Sequence, residues 1–173
     1  MESRTQMTAT ELRQLQAPLK DRYREDPGAA RTPLHSHGDF RDPGLTCTVD
    51  TWAGPVRGGP HAATGGDGSD ACSGDMLLDA LLACAGVTLR SVATAMGVEV
   101  RSAELTADGM FDARGTLGVD RTVPVGVQDV VVTARVDAEL DDSALERLAR
   151  ATERYCVVSQ SLKADVRFVL ERA

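Results

Sequence analysis

With 173 residues, 42% of them hydrophobic, and a formal net charge of −7, the chain can bury one core but carries no basic surface. That balance excludes a phosphate-backbone binder, which needs clustered Lys and Arg; the only lysines are Lys20 and Lys163. The N-terminal stretch 1–6 is polar with no apolar segment behind it, and the longest apolar run, Met76 to Leu89, is broken by Asp79 and short for a bilayer. The expectation is a soluble cytoplasmic protein with no nucleic-acid and no membrane partner.

Taken in chain order, Thr8-x-x-Glu11 is a capping-box pattern, and Leu12, Leu15, Leu19 and Tyr23 recur behind it at helical spacing. A helix over about 9–24 is predicted, kinked or split at Pro18, with a stripe so narrow that it reads as an arm packed on something larger. After the turn Arg41-Asp-Pro-Gly44, Leu45, Cys47 and Val49 alternate with Thr46, Thr48 and Asp50, which predicts a strand whose hairpin partner lies in 30–40. A Gly/Asp/Ser loop over 65–75 leads into a helix from about Met76 to Met96, ended by Gly97 and apolar almost all round. Two long strands follow, 98–111 and 127–140, with Val130, Val132, Ala134 and Val136 on one face of the second. Ser143-x-x-Glu146 reads as another capping box, and Leu145, Leu148, Ala149, Thr152, Tyr155 and Cys156 form one stripe behind it; Val166, Phe168 and Leu170 alternate as a last strand. The order predicts an α+β fold, a largely antiparallel sheet wrapped around a buried central helix.

Four cysteines carry the chemistry. Cys84 sits within the apolar helix and Cys156 at the end of a later one, and neither belongs to a Cys-x-x-Cys pair, so zinc-ribbon and thioredoxin-like patterns lose their support. In a reducing compartment they are free thiols or a transient bridge, which suggests a two-cysteine redox site joined only by the fold. Cys47 falls on the inward face of its strand and reads as core; Cys72 falls in the Gly-rich loop and reads as exposed. Gly66-x-Gly68-x-x-Ala71 mimics a dinucleotide fingerprint, but Asp67, Asp70 and Asp75 would repel a pyrophosphate there. His35-x-His37 with His61 offers three imidazoles for zinc, against which stands the plainer reading of exposed hairpin histidines.

The run Met76-Leu-Leu-Asp-Ala-Leu-Leu-Ala-Cys84 resembles the first signature of the OsmC/Ohr family, which comprises osmotically inducible protein C and the organic hydroperoxide resistance proteins. Cys156-Val-Val-Ser159 resembles the second, commonly Cys-Pro-x-Ser. The order of elements also fits its OsmC-like branch, over roughly residues 30–172. The resemblance implies an arm over 1–28 and an OsmC-like domain over 29–173, forming an intertwined homodimer with active sites at the subunit interface. It implies a thiol-dependent peroxidase for organic hydroperoxides, with Cys84 peroxidatic and Cys156 resolving. No prosthetic cofactor is implied, only an external dithiol reductant such as a lipoyl-type one. The alternative is a non-catalytic member binding a small apolar ligand at the dimer interface. Gly38-Asp-Phe-Arg41-Asp-Pro-Gly44 resembles the turn that carries the family's Arg, which makes Arg41 the candidate cation, and Asp75 falls where many members have Glu.

These parts answer a chemical need. An ordinary thiol, with a pKa near 8.5, is only about 3% thiolate at pH 7, and the thiolate is the nucleophile. Cys84 lies about two turns into its helix, beyond the reach of the dipole, and its neighbours Ala80, Leu81, Val87 and Thr88 include no cation. A reactive Cys84 is therefore expected to need a cation from elsewhere, Arg41, held in a bidentate pair by Asp75.

Overall fold

A computed structural model of the chain describes residues 7–173; the polar stretch 1–6, on which the expectation of a leader-free start rests, lies outside the described residues. The first helix, α1 (Ala9–Glu25), starts on the expected capping box: Thr8 Oγ1 accepts from the Glu11 N–H at 3.2 Å, and the Glu11 carboxylate accepts from the Thr8 N–H at 2.7 Å. Pro18 does not split it. Positions 14 and 18 are exposed, so the carbonyl that the proline leaves without a donor faces water. No residue of α1 is buried, and it rests on the long helix below as an arm.

Two sheets follow rather than one. In the first, β1 (His37–Asp39), β2 (Cys47–Thr51), β3 (Gly54–Gly59) and β4 (Ala71–Cys72) lie in that order; the first two pairings are antiparallel and β3–β4 is parallel. Thr48, not Cys47, is the buried residue of β2: its hydroxyl donates to Asp42 Oδ2 at 2.6 Å, so the turn closes over that face and Cys47 is left half-buried. Cys72 is half-buried within β4 rather than exposed in a loop. The glycines ahead of it serve the turn: a Cβ on Gly66 would lie 1.7 Å from the Pro60 carbonyl oxygen. This sheet meets the rest of its chain through β4 and the start of the long helix, and Phe40, Leu45 and Trp52 at its edge are 85%, 84% and 101% exposed.

That long helix, α2 (Ser73–Met96), ends where expected: Gly97 has φ 72°, with Gly97 N–H on the Thr94 carbonyl at 3.1 Å and Val98 N–H on that of Ala93 at 2.9 Å. At 24 residues it is, by length and composition, apolar enough to cross a membrane, which the run Met76 to Leu89 did not suggest. Its burial is a single stripe, Leu81, Ala85, Leu89 and Ala93, and not the whole circumference, since Val87 is 69% exposed.

The second sheet is β5 (Ser102–Met110), β6 (Gln128–Asp137) and β7 (Val166–Arg172), with a short α3 (Ala113–Thr116) between β5 and β6. Val130, Val132, Ala134 and Val136 are buried on one face of β6, as the alternation requires. β5 pairs antiparallel with β6, but β7 runs parallel to it. The connection is the cause, because a strand reached through a crossover helix returns in the same direction, and α4 (Asp142–Tyr155) is that helix. Each sheet thus adds one parallel pairing to its antiparallel ones, three of the five pairings being antiparallel, within the expected α+β class. Asp141, not Ser143, caps α4: its carboxylate accepts from the Ala144 N–H at 2.6 Å, while Ser143 Oγ accepts from Arg147. Tyr155, placed on the stripe by its spacing, is 63% exposed beneath the Arg154 guanidinium.

Helices α2 and α4 pack together and share one face of this sheet in two patches. Leu148 fills the first with Leu89, Ala93, Val100, Ala134 and Val136. The second joins Leu81, Ala85, Val130 and Val132 to the sulfur of Cys156, and it forms the floor of the site.

Candidate active site

The fold brings together two cysteines that are 72 positions apart in sequence. Helix α2 presents Cys84 at the edge of its buried stripe, half-exposed; α4 ends on Cys156, which is fully buried. The chain turns sharply there because Cys156 leaves helical geometry (φ −74°, ψ 105°) while its N–H still closes the last helical bond to Thr152 at 3.0 Å. The turn sets Val158 beside Cys84 against the core patch that holds Cys156. Burial pushes the Cys84 thiol up, but the Val158 N–H, Cys156, Thr88 and the Val157 N–H together outweigh it and hold the thiol below the usual cysteine range. Cys156 moves the opposite way: burial pushes it up, the Ser159 N–H pulls it back in part, and the proton it shares with Cys84, with the charge on that neighbour, raises it further.

Arg41, the expected cation, is engaged elsewhere within its own chain. Arg41 forms a fork on its own hairpin, with Nε on Asp39 Oδ1 at 2.6 Å and Nη2 on Asp39 Oδ2 and Asp50 Oδ2, each at 3.0 Å. Asp39 lies two residues away and Asp50 across the β1–β2 ladder, so both are nearer partners than Asp75. Arg57 is likewise paired, with Asp70. Asp75 sits in the first turn of α2, nine residues before Cys84: about 13 Å along the axis and roughly half a turn away around it. It lines a small cleft with His61, Cys72, Leu78, Phe111 and Val127. Within one chain the structure joins Cys84 to Cys156, and it joins neither Arg41 nor Asp75 to them.

The three histidines do not converge. His37 Nδ1 lies 3.0 Å from Asp50 Oδ2, His61 Nδ1 accepts from the Ala63 N–H at 3.0 Å, and His35 is exposed. Among the described residues no group of three His, Cys, Asp or Glu side chains could hold a metal ion. Sequence reasoning named Thr88 only as a neighbour without charge, and it missed the amides of the turn after Cys156, because the direction of a main-chain N–H is written in no residue identity.

Residues 66–171 match the family model of OsmC-like proteins, more than half of the chain, and the chain belongs to that family. No curated protein matches it in sequence. Solved structures share its fold. An OsmC-like protein of unknown function from Vibrio cholerae is 12% identical over 81% of this chain and 99% of its own, with a TM-score of 0.66. An organic hydroperoxide resistance protein from Elizabethkingia anophelis is 13% identical over 83% and 99%, also at 0.66. An organic hydroperoxide resistance protein OsmC from Legionella pneumophila is 16% identical over 82% and 99%, at 0.60.

Proposed function

We propose that the chain is a thiol-dependent peroxidase that reduces organic hydroperoxides. One observation carries the reading: Cys84 packs against the core patch that holds Cys156, the reachable thiol shifted toward thiolate and the buried one toward thiol. That is the polarity a peroxidatic and resolving pair requires. The Cys84 thiolate attacks the outer peroxide oxygen; the S–O bond forms, the O–O bond breaks, and the departing alkoxide takes a proton to leave as an alcohol. Cys156 then displaces water from the Cys84 sulfenic acid, giving a disulfide. An external dithiol returns both thiols by exchange and leaves as its own disulfide.

In a homodimer the hairpin of one chain can reach the site of the other, and Arg41 of the partner subunit would then face the peroxide, with Asp75 as its anchor there. The exposed Phe40, Leu45 and Trp52 of that hairpin are the surface such a partner would cover. The test is consumption of cumene or tert-butyl hydroperoxide with a dithiol reductant. Wild type should turn over, and Cys84→Ser, which changes little volume, should keep its circular dichroism and lose turnover. Wild-type rates in Cys84→Ser would overturn the assignment. A wild type that consumes no peroxide would leave the ligand-binding reading.

A further inference from the structure

One face of the β1–β2 hairpin carries His37, Asp39 and Asp50, with Arg41 just past the end of β1. His37 and Asp39 are two positions apart on β1 and share that face, and Asp50 stands directly across from His37 in the register. Asp39 accepts from the Arg41 main-chain N–H at 3.1 Å, from Nε at 2.6 Å and from Nη2 at 3.0 Å, so one carboxylate fixes both the backbone and the side chain of Arg41. Nη2 also donates to Asp50 Oδ2 at 3.0 Å, and the same oxygen lies 3.0 Å from His37 Nδ1. A carboxylate only accepts, so Nδ1 is the ring nitrogen that carries a proton. The turn itself is closed by other groups: the Thr48 hydroxyl donates to Asp42, and the Thr46 hydroxyl reaches the Asp42 and Pro43 carbonyls, each at 3.2 Å. Three of the five guanidinium hydrogens are thus committed, and Nη1 keeps the other two.

We propose that Asp50, with His37 behind it, is a positioning residue that sets the Arg41 guanidinium with its Nη1 edge outward, and that this edge is the one offered to the reacting oxygens. The inference rests on the reading in which Arg41 meets a peroxide at Cys84 of the partner subunit. The four side chains keep 41% to 61% of their surface exposed, so the network adds little to stability. Orientation is what it supplies. Arginine has much rotamer freedom to lose, and a guanidinium held from two sides has lost it before a substrate arrives. Asp39 sits two residues before Arg41 and moves with the turn. Asp50 belongs to the neighbouring strand, so it ties the guanidinium to the ladder, and His37 keeps that carboxylate from turning toward water.

The experiment is a double-mutant cycle on the whole chain, reading kcat and KM for cumene hydroperoxide with a dithiol reductant. Asp50→Ala should lower kcat and kcat/KM together by about tenfold, the mark of an interaction made in the transition state alone. In the Arg41→Ala background the same change should cost nothing further, because Asp50 acts through the guanidinium. Asp50→Asn keeps an acceptor of the same shape and should recover most of the loss, and His37→Ala should cost less than Asp50→Ala. Equal losses with and without Arg41 would overturn the proposal, as would Asp50→Ala at the wild-type kcat. Nitrogen NMR reads the network with no peroxide present. Neutral His37 should hold its proton on Nδ1 in wild type and lose that preference in Asp50→Ala, and the Arg41 Nε order parameter should be high in wild type and fall in the same variant. A proton on Nε2 of His37 in wild type, or an order parameter indifferent to Asp50, would also overturn the proposal. An ordered Arg41 that depends on Asp50, in a protein that turns over no peroxide, would sink the peroxidase reading alone. An active peroxidase whose Asp50 losses do not depend on Arg41 would sink the positioning alone.

Discussion

Replacing Cys156 by alanine separates its two roles. The sulfur lies fully buried against Leu81, Val130 and Val132, so its removal leaves a void of about one methylene and costs about 1 kcal/mol. A domain with roughly 5–15 kcal/mol in hand survives that, and what is then measured is chemistry rather than unfolding. The first effect falls on Cys84, which loses one of its donors. A hydrogen bond worth about 1 kcal/mol corresponds to about 0.7 of a pKa unit. The sign follows from which form the donor favours: it holds the thiolate, so losing it raises the pKa and moves reactivity to higher pH. Near neutrality the thiolate fraction should fall by up to about fivefold, and the alkylation rates of variant and wild type should converge once both are fully ionised. The second effect is on resolution. With no thiol beside the sulfenic acid, Cys156→Ala should consume about one equivalent of hydroperoxide in a burst and then stall, with Cys84 gaining one and, under excess peroxide, two oxygens by mass. A variant that cycles with dithiol at the wild-type rate would show that Cys156 does not resolve the sulfenic acid.

Arg41→Ala should weaken peroxide reduction while leaving the alkylation midpoint of Cys84 in place, because neutral donors already hold the thiolate; a midpoint that rises would return the guanidinium to the sulfur. Light scattering at micromolar concentration should give about twice the 18.4 kDa chain mass, and a folded monomer that still reduces peroxide would refute the intertwined arrangement.

Much of this was legible in the residues, and the failures have physical causes. The stripe Leu81, Ala85, Leu89 and Ala93 and the alternation Val130 to Val136 follow from helical and strand periods. Composition does not give direction, so β7 could be placed as a strand but not as a parallel one until α4 was seen as its crossover. Asp141 outcompeted Ser143 for the cap because a carboxylate one position before the helix reaches the free N–H groups better than a hydroxyl already inside it. The Cys84–Cys156 pairing was implied by two motifs, but the polarity of the pair was not, since it depends on amides whose direction is fixed only by the turn. Nine residues along a helix is two and a half turns, which puts Asp75 on the face of α2 opposite Cys84 within one chain.

The division of labour around Cys84 also bears on why the hairpin stands apart from its own chain. Had Arg41 been needed to ionise the thiol, the site would be inert until a partner arrived. With the Cys84 thiol already held below the usual cysteine range within its own chain, a guanidinium brought by a partner would meet a thiolate that already exists. Its two Nη1 donors, which the bonds to Asp39 and Asp50 do not use, are then available for the peroxide oxygens, where charge develops as the O–O bond breaks. On its own hairpin Arg41 is held by Asp39 and Asp50, so it would travel pre-oriented with β1 and β2 rather than as a free side chain. The nucleophile would then belong to one subunit and the polarisation of the leaving oxygen to the other. Dissociation would remove peroxide reduction and leave a thiol that still alkylates at neutral pH.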